Sequence, residues 1–303
     1  MDWNFGDYAY GLEPLLLPPP LGADDAASPV PSARGPELKP LAPNLLRAAA
    51  TGALPEDGPS SADTQVYWFR WITGHQVSFL LWRLLGQQVQ AAARAPEGPG
   101  AEALAAMAAY VRGYCAMLLY TSSCSREVYG DLIRPSMFLQ HPGFSGTWAP
   151  DFTVLRPLFR GRRLPGWADD RLRREVALHH TIHAGVAARL VPDGRSLLQT
   201  ATRTEVRSEW MLGTLYDNYF LTVRLPQTQE EVVVQLLRRL DAVAADLRAN
   251  GLYGAAEVED RPAELREPGV LDSERDLFGI LLRLAVHAAG ADSHVVGAQL
   301  ESV

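Results

Sequence analysis

From Asp63 to Gln90 apolar side chains recur at helical steps through Val66, Phe69, Ile72, Phe79 and Trp82, with no proline among them. That spacing predicts an amphipathic helix over 63–90, with Ser60, Ser61 and Asp63 as candidate N-caps. His75 falls on its apolar stripe. Trp71 and Ile72 lie one turn behind it and Phe79 and Trp82 lie ahead, so the imidazole is expected to project among aromatic rings. The same periodicity predicts a helix over 101–120, buried through Leu104, Met107, Val111, Cys115 and Leu118, and another over 169–190. In the latter, Leu172, Val176, His179, His183, Val186 and Leu190 form the stripe and His180 flanks it.

Residues 196–224 read as a helix or a broken pair. Thr228 opens an amphipathic helix over 229–250 that Gly251 closes, and Asp272 or Ser273 opens a last one to Ala289 that carries His287. Residues 141–168, punctuated by Pro and Gly, read as a long irregular loop. Strand-like alternation is nearly absent and no internal repeat is visible, so the expected fold is mainly α, a helical bundle. Residues 1–60 break the pattern with eleven of the twenty-two prolines, Pro18-Pro19-Pro20 among them. Little regular structure is expected there beyond a helical turn near 41–50. Trp3, Phe5, Tyr8, Tyr10 and the leucines nevertheless exceed what a solvated tail carries, which predicts an extended arm that packs on something, ahead of a helical catalytic domain over 61–303.

At 303 residues and 47% hydrophobic content the chain can bury a sizeable core. A net charge of -7, with Lys39 the only lysine and no basic stripe, argues against nucleic acid as a partner. With no apolar run of membrane-spanning length and no basic-then-apolar leader, the expectation is a soluble, cytoplasmic protein without a membrane partner. Cys115 and Cys124 are expected as free thiols.

The segment His75-Gln76-x-x-Phe79-Leu80-Leu81-Trp82-Arg83 resembles the HQxxELWxK segment of tryptophan 2,3-dioxygenases. Asp131-Leu132-Ile133-x-Pro135-Ser136-x-x-x-Gln140 likewise resembles that family's DVLGPSSGFQ stretch. The dioxygenases place before that Asp an Arg that holds the amino acid's carboxylate; here Gly130 stands in its place, with Arg126 and Arg134 the nearest arginines. With a Pro-rich start and without that Arg, the chain looks more like the histidine-ligated heme-dependent aromatic oxygenases, such as the L-tyrosine 3-hydroxylases that make L-DOPA for antibiotic pathways. The matching segments are 68–83 and 126–140.

The resemblance implies heme b between the helices, hydrogen peroxide as oxidant, and hydroxylation of L-tyrosine next to its phenol hydroxyl. It makes His75 the acid/base, Arg126 or Arg134 the partner of the substrate carboxylate, and Phe79 and Trp82 pocket walls. It also implies a homodimer in which the arm, from Trp3 to Leu17, packs beside the heme. Helix 169–190 offers the axial ligand in His183, with His179, His180 and His287 as the other candidates. Three other readings stand beside it: a tryptophan 2,3-dioxygenase-like heme enzyme, a non-heme metal enzyme using His179, His180 and His183, and a helical binding protein without catalysis. The metal reading is weakened by HHTIH, which lacks a Glu where HExxH has one.

Overall fold

The computed structural model describes residues 10–21, 63–160, 164–191, 194–201, 208–253 and 261–290. They form a mainly helical bundle. Its helices are α1 (Asp63–Arg94), α2 (Ala101–Thr121), α3 (Arg134–Gln140), α4 (Asp170–Leu190), α5 (Glu209–Tyr219), α6 (Gln229–Asn250), α7 (Pro268–Arg275) and α8 (Leu277–Ala288). Short helical turns join several of them. α1 runs past its expected end because Ala91, Ala92, Ala93 and Arg94 are strong helix formers, and Pro96 follows them.

The Ala-rich α2 is the centre of the bundle, packed against α1, α4, α7 and α8. By length and composition it could cross a membrane, but most of its apolar surface is buried inside the protein. Close approach of α1 to α2 needs Gly74, since a side chain there would run into Thr121 and Tyr120. Arg112 of α2 grips Glu175 of α4 with two hydrogen bonds, Nε to Oε2 at 2.6 Å and Nη2 to Oε1 at 2.9 Å. This pins α4 one turn before His179.

Charged side chains also brace α1 from the other side. Arg70, 2% exposed, pairs through Nε with Asp246 of α6 at 2.7 Å, and its remaining donors reach Ser123 Oγ and the Gly251 and Leu252 carbonyls. Tyr120 donates to the same carboxylate at 2.8 Å. Removing one member of such a pair leaves the other charge buried and alone, so Asp246→Ala is expected to cost about 3–5 kcal/mol of stability, read by urea unfolding. A loss below about 1 kcal/mol, the worth of a surface pair, would show that solvent reaches Arg70 freely.

Several irregular stretches depart from expectation for identifiable reasons. The segment 141–168 is not an unstructured loop: it contains helical turns at Gly146–Trp148, Pro150–Leu155 and Arg156–Arg160. Its Pro150 and Pro157 sit at first-turn positions, where a missing N–H costs nothing, and Phe152, Leu155, Leu158 and Phe159 are buried. Before α3, a turn at Arg126–Val128 and a π-helical turn at Tyr129–Ile133 widen the backbone ahead of Pro135, which cannot donate. The expected last helix is two, α7 and α8, meeting at Asp276. Ser273, expected as an N-cap, is buried inside α7, donating to the Gly269 carbonyl and accepting from Arg112.

The arm contributes a strand. β1 (Leu15–Leu17) pairs in parallel with β2 (Thr222–Arg224), with Leu15 opposite Thr222 and Leu17 opposite Arg224. Leu15 and Leu17 are fully buried, and Gln235 of α6 bonds both the N–H and the carbonyl of Leu16. Residues 10–21 therefore pack on their own chain. Trp3, Phe5, Tyr8 and the 41–50 turn lie outside the described residues. Beyond β1, buried Arg239 donates to the carbonyls of Glu13 and Pro14 and to Gln76 Oε1, and burial drops its pKa to about 10. Gln76 Nε2 donates to the carbonyls of Glu13 and Phe220, so arm, α6 and α1 lock together one residue from His75.

Candidate active site

His75, Ser78 and Trp82, at positions i, i+3 and i+7, share the face of α1 that borders a cavity of about 330 Å³. Across it α4 presents His179, His180 and His183. Tyr114 of α2, Tyr216 of α5, and Phe152, Phe159 and Arg160 from the 150–160 turns also line it. His75 and the three histidines of α4 thus border one cavity.

The His75 ring lies between Phe220, stacked at 4.5 Å, and Trp71 at 4.2 Å. Its Nδ1 is 2.6 Å from the Trp71 carbonyl. A carbonyl can only accept, so Nδ1 carries the proton and Nε2 of the neutral ring keeps its lone pair. Burial pushes the pKa down to about 4, opposed only by that carbonyl. His75 is thus a neutral, oriented proton acceptor at physiological pH.

His179 is 5% exposed, stacked on Tyr114 at 5.0 Å and against Phe159 at 4.5 Å. Neither ring nitrogen has a hydrogen-bond partner among the described residues. Burial, with His183, His180 and Arg160 behind it, lowers its pKa to about 3, so it too is a neutral donor ligand. His180 is already engaged, with Nε2 2.7 Å from the Phe159 carbonyl. His183, expected on the buried stripe, is exposed and borders the cavity. The buried face of α4 is rotated from the apolar stripe because Glu175 and Arg189 are buried on it, one paired with Arg112 and the other over the Tyr253 ring. His287 packs edge-on to Tyr110 and does not border the cavity. Among the described residues no three His, Cys, Asp or Glu side chains are grouped to hold a bare metal ion.

The aromatic expectations divide. Trp82 borders the cavity with its Nε1 buried and without a partner among the described residues, while Phe79 stands behind it, stacked at 5.3 Å. Neither expected arginine reaches the cavity. Arg126 donates to the Arg189 carbonyl at 3.0 Å and Arg134 to the Arg195 carbonyl at 3.2 Å. The cavity's arginine is Arg160, over the face of Phe152 at 5.9 Å, with no hydrogen bond or ion pair among the described residues. It escaped the sequence reading because it ends a turn inside the segment taken as loop, although Phe152, Leu155 and Phe159 repeat there at helical steps.

These donors fit a heme better than a bare ion. His179 offers an unengaged imidazole that would hold the iron, the walls are aromatic, and Arg160 supplies an exposed cation. Comparison with known proteins bears on the same region. A 3-methyl-L-tyrosine peroxygenase of Streptomyces lavendulae is 33% identical over 202 residues, 62% of this chain and 53% of that protein. The chain thus spans about half the length of that relative. The family model described as SfmD 3-methyl-L-tyrosine peroxygenase matches residues 21–178, which include His75, Trp82, Tyr114 and Arg160 and stop one residue short of His179. Since that match takes in more than half of its residues, the chain belongs to the SfmD 3-methyl-L-tyrosine peroxygenase family.

Proposed function

We propose that this protein is a heme-dependent peroxygenase that hydroxylates the ring of L-tyrosine beside its phenol hydroxyl, forming L-DOPA. The observation that carries the reading is the cavity that a neutral, oriented His75 and the unengaged imidazole of His179 line together. Family membership supports peroxide and a tyrosine-class phenol as reactants. Heme bound in the cavity would supply the activation of hydrogen peroxide, one of whose oxygens would end in the ring C–OH while the other left as water.

The rest of the work falls to this chain. His179 of α4 would hold the heme iron. His75 Nε2 accepts a proton from peroxide or from the phenol hydroxyl and returns it, and the Trp71 carbonyl keeps that nitrogen aimed at the cavity. Tyr114, Phe152 and Tyr216 keep water from the reacting ring.

Two measurements test this. Purified protein should carry heme and show a spectral change with a tyrosine; comparing L-tyrosine, 3-methyl-L-tyrosine and L-tryptophan then ranks the substrates. Conversion of L-tyrosine with peroxide should give L-DOPA by mass spectrometry, and absence of both heme and conversion would overturn the reading. The pH profile is a further expectation. His75 accepts protons only when unprotonated, and its pKa of about 4 lies below the ordinary 6.5. Its contribution to kcat/KM should therefore stay level between about pH 5 and 8 and fall as pH drops through 4. An acid limb centred near 6.5 would show that His75 is solvated like a free imidazole.

A further inference from the structure

Two polar groups that border the cavity beside Phe152 have no hydrogen-bond partner among the described residues. Trp82 is 4% exposed and its Nε1–H has no acceptor among the described residues. The ring is held in place, stacked on Phe79 at 5.3 Å and flanked by Tyr114 at 5.2 Å and Phe152 at 5.1 Å. The same Phe152 ring carries the Arg160 guanidinium 5.9 Å above its centre, and Arg160 has no anionic partner among the described residues. An indole N–H and a guanidinium only donate, and one of them is a permanent cation. A group that bonded both would bring acceptors and negative charge.

We propose that Trp82 Nε1–H and Arg160 form a carboxylate-binding end of this cavity, two helical turns along α1 from His75. Seven residues of helix separate Trp82 from His75 by about 10 Å, a span that an L-tyrosine lying along α1 bridges with its hydroxyl at His75 and its carboxylate at Trp82 and Arg160. This placement of the guest rests on the function proposed above. A heme propionate is the other source of the same chemistry. Arg126 and Arg134, bonded to backbone carbonyls elsewhere, are not part of it.

The test uses the full chain with its cofactor and two variants. Trp82→Phe keeps an aromatic ring and removes the N–H, and Arg160→Gln changes an exposed side chain that the fold does not lean on. Binding of L-tyrosine is compared with that of tyramine, which lacks the carboxylate, and of 3-phenylpropionate, which keeps it and lacks the phenol. Heme retention is measured alongside. Each variant is expected to weaken L-tyrosine and 3-phenylpropionate roughly tenfold or more and leave tyramine unchanged. Loss of heme retention in both variants, with the L-tyrosine to tyramine ratio intact, also supports the site and assigns it to the propionate. Wild-type protein that binds 3-phenylpropionate but neither phenol overturns the tyrosine reading alone, and the variants still decide the site through that probe. Unchanged carboxylate binding together with full heme retention in both variants overturns the proposal.

Discussion

His75→Ala protein is expected to turn over L-tyrosine with peroxide about two to four orders of magnitude more slowly than wild type, while retaining its heme and a substrate-induced spectral change. The size follows from what is removed. Trp71 and Phe220 clamp the ring on both sides, and its Nδ1–H is committed to the Trp71 carbonyl, so one nitrogen in a fixed direction is all it presents to the cavity. A loss in kcat with KM nearly unchanged marks an interaction made in the transition state. His75→Gln, which fills more of the gap between Trp71 and Phe220, should be nearly as slow. If His75→Gln instead retains most of the activity, the imidazole is a packing element and the proton goes elsewhere.

His179→Ala is expected to purify with little or no heme and no turnover, while His183→Ala keeps heme and a normal ferric spectrum. The two residues are one helical turn apart on α4, yet their surroundings differ. His179 is enclosed by Tyr114 and Phe159 with both nitrogens unengaged, whereas His183 faces solvent at the mouth. Leaving an imidazole buried without a partner costs about 1–3 kcal/mol, which an iron bond would more than offset. Added imidazole should restore heme binding to His179→Ala, since it can occupy the space the side chain leaves. The reverse pattern, with His183→Ala losing heme, would return the axial position to the residue that the apolar stripe suggested.

Heme-free protein has a related sensitivity to acid. The folded-state pKa values of His75 and His179, about 4 and about 3, lie below the ordinary 6.5. Between those limits the unfolded chain binds protons that the folded one refuses. Stability from these groups is therefore complete above pH 6.5 and declines as pH falls toward 4, which urea midpoints across that range will show.

The helical bundle was readable in the chain because periodicity is local: α1, α2, α4 and α6 follow from three- and four-residue apolar steps, and Thr228 and Gly251 bound α6 as their types require. His75 on an aromatic face was legible for the same reason. Four features were decided only by the tertiary structure. Leu15–Leu17 is a strand because β2 and Gln235 meet it, partners more than two hundred residues away. The buried face of α4 turns to take in Glu175 and Arg189, which hydropathy assigns to solvent and which Arg112 and Tyr253 make tolerable inside. That rotation leaves His179 enclosed and His183 at the rim. Arg160, not Arg126 or Arg134, reaches the cavity because the backbone after Pro150 coils into turns that bury Phe152 and Phe159 and carry the arginine over the Phe152 ring. A residue's own helix follows from its neighbours in sequence, but which of its atoms lack a partner depends on everything packed around it.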